Sequence, residues 1–264
     1  MRIGFIGCGN MAKAIISGIL GKGEIKNTDI IASDVSADAL KAVEKSMGIA
    51  VCSDNKKIVE QSDYIIMAIK PVYMEEVIKE ISSSVSKDKV IITLAPGKTL
   101  AWLGETFGKD VKIIRTMPNT PAMVGEGITA LCRNGFVSDG ELETAKHIIE
   151  SFGKAEVVPE SLMDAVCGVS GSSPAFVFMF IEAMADAAVA EGMPRPQAYK
   201  FAAQSVLGSA KLVLETGKHP GELKDMVCSP AGTTIEGVGV LENMGFRSAV
   251  IEAVRAAAEK SKGV

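Results

Sequence analysis

Met1-Arg-Ile-Gly-Phe-Ile-Gly-Cys-Gly-Asn-Met-Ala12 sets the reading of the whole chain. The apolar run Ile3–Ile6 meets Gly7-x-Gly9-x-x-Ala12 and passes into a helical pattern from Met11 to Leu20. Strand, tight glycine turn and helix, in that order, form the unit that holds a dinucleotide. Gly7 makes the turn, Gly9 lets a pyrophosphate approach the backbone, and Ala12 keeps the helix close to the sheet. The helix start adds free N–H groups and partial positive charge for the phosphates.

Working outward, short β-rich runs alternate with helical patterns over the first 160 or so residues. Strands are expected at Ile3–Ile6, Ile30–Ser33, Ile49–Val51, Tyr64–Ala68, Val90–Thr93, Ile113–Met117, Gly127–Leu131 and Ala155–Val158. Helices are expected at Met11–Leu20, Ala37–Lys45, Asn55–Gln61, Tyr73–Ser82, Leu100–Phe107 and Ser138–Ser151. Such alternation, with mostly uninterrupted apolar strands, predicts a parallel sheet covered on both faces. The fold class is α/β: a Rossmann-like domain over residues 1–160, then an all-α domain over 161–264. In the second half Ser173-Pro174 starts a helix, with Ser173 as cap and Pro174 in the first turn. Long helices follow at Ala175–Glu191, Pro196–Glu215 and Phe246–Lys260, with Gly192 and Gly217 as stops. Phe176 to Ile181 are consecutive apolar residues and cannot all face a small core. Their surplus predicts burial against a second copy of the chain.

Composition narrows the function classes. Net charge is −4 with scattered basic residues, so no nucleic-acid partner is expected. Arg2 lies directly before a strand, so no signal peptide is expected. The apolar stretch Ala175–Ile181 is cut by Glu182 and Asp186, so no membrane partner is expected. The five cysteines show no C-x-x-C pairing, which suits reduced thiols in the cytoplasm. His147 and His219 lie far apart in sequence, and no metal is expected.

In doubly wound sheets ligands lie beyond the C-terminal ends of the strands. Ser33 and Asp34 follow the second strand, and Asp34 stands about 20 residues beyond the glycine turn, where an acid binds ribose hydroxyls and repels a 2′-phosphate. That favours NAD; Ser33, Ser36 and Lys41 cradling a phosphate would favour NADP, and a helix-capping Asp34 would favour neither. Ala68-Ile69-Lys70-Pro71 and Leu94-Ala95-Pro96-Gly97 are turns with room for the nicotinamide half. Lys70 reads as a proton donor, a phosphate partner or a solvated cation. Asn119 reads as a cofactor ligand or as a structural Asx-turn. In the helical half, Ser229-Pro-Ala-Gly232-Thr233-Thr234 opens a helix, a place for a carboxylate or simply a capped start.

Taken together, these motifs resemble the pyrroline-5-carboxylate reductase family. The match runs the whole length through Ile6-Gly-Cys-Gly-Asn-Met-Ala12, Ala68-Ile-Lys-Pro71, Arg115-Thr-Met-Pro-Asn-Thr-Pro121, Asp164-Ala-Val-Cys-Gly-Val-Ser-Gly-Ser-Ser-Pro174 and His219-Pro-Gly-Glu-Leu-Lys-Asp225. Its most specific element is Ser229-Pro-Ala-Gly-Thr-Thr-Ile235. The resemblance implies NADPH or NADH reducing the cyclic imine 1-pyrroline-5-carboxylate to L-proline, the last step of proline biosynthesis. It also implies a homodimer through the helical domain, with larger homo-oligomers left open.

By motif match, Thr234 bonds the imine nitrogen, and Ser229 with the N–H groups of Gly232 and Thr233 holds the carboxylate. The cofactor falls to Ile6, Gly7, Cys8, Gly9, Asn10, Met11, Ser33, Asp34, Asn55, Ala68, Ile69, Lys70, Pro71, Ala95, Pro96 and Asn119, with Asn55 at the adenosine part. Pro96 stands where the family more often has Ala, and the Asp34 neighbourhood varies, so cofactor preference does not carry over. A cyclic imine is already electrophilic, so neither a His nor a Cys catalyst is required. A β-hydroxy-acid dehydrogenase would need a Lys or His base, and a nucleotide sensor would have no use for the Ser229–Thr234 turn.

Overall fold

The computed structural model describes residues 1–262. Two compact units emerge: Met1–Ser172 together with the stretch that begins at Ala256, and Ser173–Arg255. The first unit therefore runs past the boundary expected near residue 160. Met163 explains the extension, because it is buried against Ala130 and Cys132 of the sheet.

The first unit is built on one eight-stranded sheet in the order β3-β2-β1-β4-β5-β6-β7-β8. The strands are β1 (Ile3–Ile6), β2 (Ile30–Ser33), β3 (Ala50–Cys52), β4 (Tyr64–Met67), β5 (Val90–Thr93), β6 (Lys112–Met117), β7 (Gly127–Arg133) and β8 (Gly153–Val157). Six of the strands, β1 to β6, run parallel as expected. β7 departs from that pattern, pairing antiparallel with β6, and β8 runs parallel to β7. Only the short 3-10 segment Thr120–Val124 separates β6 from β7, too little chain for a helical crossover back to a parallel strand.

Helices α1 (Asn10–Lys22), α2 (Ala37–Met47), α3 (Asn55–Gln61), α4 (Met74–Ile81), α5 (Leu100–Phe107) and α6 (Asp139–Ile149) cover both faces. Strand alternation sends Ile3 and Phe5 to a core with Ile15, Ile16 and Ile148, and sends Ile6 to another with Ile58, Ile78 and Leu103. The two cores use α1, α2 and α6 on one side and α3, α4 and α5 on the other. Beyond β8 come a short helix, α7 (Met163–Val166), and a π-helical turn, Cys167–Gly171, neither of which the periodicity predicts.

The second unit contains α8 (Ser173–Ala190), α9 (Arg195–Thr216), α10 (Pro220–Val227) and α11 (Thr233–Asn243); α12 (Phe246–Ser261) begins in it. Gly192 and Gly217 take left-handed φ values of 93° and 63°, which ends α8 and α9 as expected. The small residues Ala185, Ala198 and Ala202 bury where α8 and α9 meet. Much larger side chains stay outside: Phe178 is 61 %, Phe201 67 % and Leu214 84 % exposed. The helical stretch Glu160–Ala190 is, by length and composition alone, apolar enough to cross a membrane, contrary to the reading from its charged residues.

Candidate functional site

β1 ends at Ile6, and the chain turns at Gly7 with φ +100°. A Cβ there would lie 2.6 Å from the Ala68 carbonyl oxygen, so only glycine fits without strain. The Gly7 N–H donates to the Ser33 carbonyl (2.7 Å), and the Ala68 N–H donates to the Ile6 carbonyl (2.8 Å). These bonds bring the tips of β2 and β4 to the turn. Gly9 is the N-cap of α1, with open space where its Cβ would stand. Its lack of a side chain therefore answers no neighbour within the protein. The first turn of α1 holds no acidic residue, leaving its unpaired N–H groups to an anion.

Asp34 is held by two backbone donors: Cys8 N–H at 2.6 Å and Ser36 N–H at 2.8 Å. Ser36, in turn, caps α2 by accepting from Ala39 N–H. Asp34 is therefore not the helix cap. The bond to Asp34 commits the Cys8 N–H inside the protein. The Cys8 thiol is buried, and burial followed by the Asp34 charge pushes its pKa up to about 11 against the smaller opposing pull of Lys13.

The Ser33 hydroxyl is buried and donates to Asn55 Oδ1 at 2.6 Å; Asn55 Nδ2 donates to Glu80 Oε2 at 2.9 Å. A cavity of about 350 Å³ opens here, walled by Ile6, Gly7, Asp34, Val35, Asn55, Ile69, Tyr73, Glu76, Val77 and Glu80. Ser33, Asp34, Asn55, Ile6, Gly7 and Ile69 thus come together as expected. Glu76 and Glu80 were missed. Their spacing of one helical turn on α4 was the available signal, since it places both on one face.

Farther along the sheet, Lys70 is exposed at the head of the 3-10 segment Pro71–Tyr73. Among the described residues it has no ion-pair partner within 4.0 Å. Ala95 is buried, its N–H held by the Thr93 hydroxyl at 3.2 Å, with Pro96 and Gly97 completing the turn. Asn119 is 8 % exposed and its side-chain oxygen accepts the Ile128 N–H at 2.9 Å. That bond ties the connection to β7 and is not an Asx-turn; it engages the side-chain oxygen and leaves the Asn119 amide nitrogen without a partner among the described residues. Glu160 was also missed: its Oε1 accepts from Arg115 (2.9 Å) and from the Leu100 N–H (2.7 Å), steadying the start of α5 after the Ala95–Gly97 turn.

In the helical unit, Ala231 has φ +56°, the one non-glycine residue with positive φ among those described. Gly232 caps α11, and a Cβ on it would lie 2.3 Å from the Ser229 Oγ. The Gly232 N–H donates to the Ser229 carbonyl at 3.0 Å. The turn thus uses the hydrogen that the family resemblance assigns to a carboxylate. Thr233 and Thr234 begin α11 exposed, and their N–H groups are those a helix start leaves unpaired. Among the described residues no cluster of His, Cys, Asp and Glu has the makings of a metal site.

Known proteins match both units. The family described as pyrroline-5-carboxylate reductase dimerisation matches residues 160–264, and the family described as NADP oxidoreductase coenzyme F420-dependent matches residues 2–97. The pyrroline-5-carboxylate reductase of Escherichia coli (strain K12) is 52 % identical over 261 residues, covering 99 % of this chain and 97 % of its own. That of Methanosarcina acetivorans is 45 % identical over the same shares. A crystal structure of Plasmodium falciparum pyrroline carboxylate reductase with NADP bound superposes with a TM-score of 0.91 at 32 % identity, covering 100 % of this chain and 97 % of that one.

Proposed function

The chain belongs to the pyrroline-5-carboxylate reductase family, and we propose that it reduces 1-pyrroline-5-carboxylate to L-proline with NADH or NADPH. The observation that carries this reading is full-length similarity, 52 % identity over 261 residues, with both the glycine turn and the Ser229–Thr234 turn intact.

The cradle fits a dinucleotide on three grounds: open space at Gly9, unpaired N–H groups at the start of α1, and the cavity beside Asp34. Ile6, Gly7, Gly9, Asn10, Met11, Ser33, Asp34, Asn55, Ala68, Ile69, Lys70, Pro71, Ala95 and Pro96 would surround it. The bound cofactor supplies the hydride.

The remaining work falls to α11 and the turn before it. The Ser229 hydroxyl and the Thr233 N–H hold the substrate carboxylate, favoured by the helix dipole. The Thr234 hydroxyl bonds the imine nitrogen and orients the ring for hydride transfer to its electrophilic carbon. A hydroxyl suffices because the nitrogen gains its proton from solvent or arrives with it.

A homodimer through the helices fits the exposed Phe178, Phe201 and Leu214, and free thiols fit the cytoplasm. Steady-state oxidation of each reduced cofactor with pyrroline-5-carboxylate tests the reaction. Turnover dependent on the imine is expected; none with either cofactor would overturn it.

A further inference from the structure

We infer that the carboxylates around the adenosine end of the cradle make NADH the preferred cofactor over NADPH. The inference rests on the dinucleotide reading and goes beyond it by naming the residues that discriminate. Three acidic side chains, Asp34, Glu76 and Glu80, wall the 350 Å³ cavity at the tip of β2, and no Lys or Arg lines it. Asp34 stands where a ribose-binding acid is expected, fixed by two backbone N–H groups. Its oxygens keep lone pairs that can accept ribose hydroxyls.

Two neutral donors at this place are partly drawn into the protein. The single hydroxyl proton of Ser33 goes to Asn55 Oδ1, and Asn55 Nδ2 is drawn to Glu80. A 2′-phosphate carries close to two negative charges and needs donors or cations. It would meet three carboxylates, whereas a ribose hydroxyl meets acceptors it can satisfy. Glu76 and Glu80 are exposed, so part of the repulsion acts through water and is screened by salt.

Fluorescence titration of the full-length protein with NADH and with NADPH, without imine, reads this directly. NADH should bind tighter by a factor on the order of ten or more. Glu76→Lys, on the outer face of α4, should narrow that ratio by about tenfold, and Asp34→Ser should narrow it too. Raising salt from roughly 0.05 to 0.5 M should shrink the wild-type ratio. Equal or tighter binding of NADPH by the wild type, or a ratio that neither variant moves, would overturn the inference. Failure to bind either nucleotide would overturn it together with the cradle. Binding with the expected ratio but no imine turnover would leave it standing and sink the reductase reading instead.

Discussion

Asp34 accepts the Cys8 backbone N–H at 2.6 Å, so the tip of the second strand clamps the middle of the glycine turn. One carboxylate thereby shapes the glycine turn while facing the neighbouring cavity. The glycines on either side of Cys8 then have different duties, and they should fail differently.

Gly7→Ala places a Cβ against the Ala68 carbonyl at a φ of +100°. The expected cost is about 1–3 kcal/mol of stability, read as a lowered thermal midpoint with or without nucleotide. A Cβ at Gly9 meets no protein atom within 4 Å, so Gly9→Val should fold with a near wild-type midpoint. It should nonetheless lose NAD(P)H binding in a fluorescence titration, because the side chain occupies the path of the pyrophosphate. Unchanged affinity would make Gly9 merely structural.

Cys8 should resist alkylation at neutral pH in the folded protein, since its pKa is pushed up to about 11 by burial and by Asp34. The stability consequence has a definite sign. The folded pKa is raised, so the contribution is intact below the ordinary thiol value of 9.0 and fades as pH climbs toward about 11. Cys132, pushed up to about 12 mainly by burial, adds in the same direction. Denaturant midpoints measured from neutral pH upward should fall across this window, less steeply in Cys8→Ala. Rapid labelling of native Cys8 by iodoacetamide would refute the buried-thiol picture.

Thr234→Ala should lower kcat by about tenfold, the worth of roughly 1–1.5 kcal/mol for one hydrogen bond whose partner changes charge in the transition state. Thr234 is exposed, so folding should be spared. Ser229→Ala should instead act mostly on KM. If Thr234→Ala raised only KM, the threonine would be a binding residue and the proposed role wrong.

Phe178→Glu with Phe201→Glu places charges on side chains 61 % and 67 % exposed in the single chain. Light scattering should find the wild type at least dimeric and this variant shifted toward monomer, because charge at an apolar interface is costly to desolvate. A fragment ending at Ser172 should be monomeric. A wild-type chain that is active as a monomer would remove the shared-helix arrangement.

Local chemistry made the cradle legible in the residues themselves. A four-residue apolar strand, a glycine that must take positive φ and a helix pattern are decided within twelve neighbours, so Gly7, Gly9 and Ala12 announce themselves. The same holds for the helix stops at Gly192 and Gly217. Surplus apolar side chains from Phe176 to Ile181 likewise announce that one copy of the chain cannot bury them all.

Tertiary structure alone decided which donors remain free. That the Cys8 N–H goes to Asp34, 26 residues away, follows from strand pairing and not from either residue's identity. The Asn55–Glu80 bond spans 25 residues and exists because α3 and α4 pack on one face of the sheet. The antiparallel turn-back into β7, with the Asn119 side-chain oxygen accepting from Ile128, is likewise set by a connection too short to cross over. Even the nearby loss of the Gly232 N–H to Ser229 depends on the left-handed Ala231, a conformation its side chain does not advertise. Residue type and spacing establish which chemistry is on hand; hydrogen-bond competition in the packed chain settles what is left to bind, because each N–H has one proton to give.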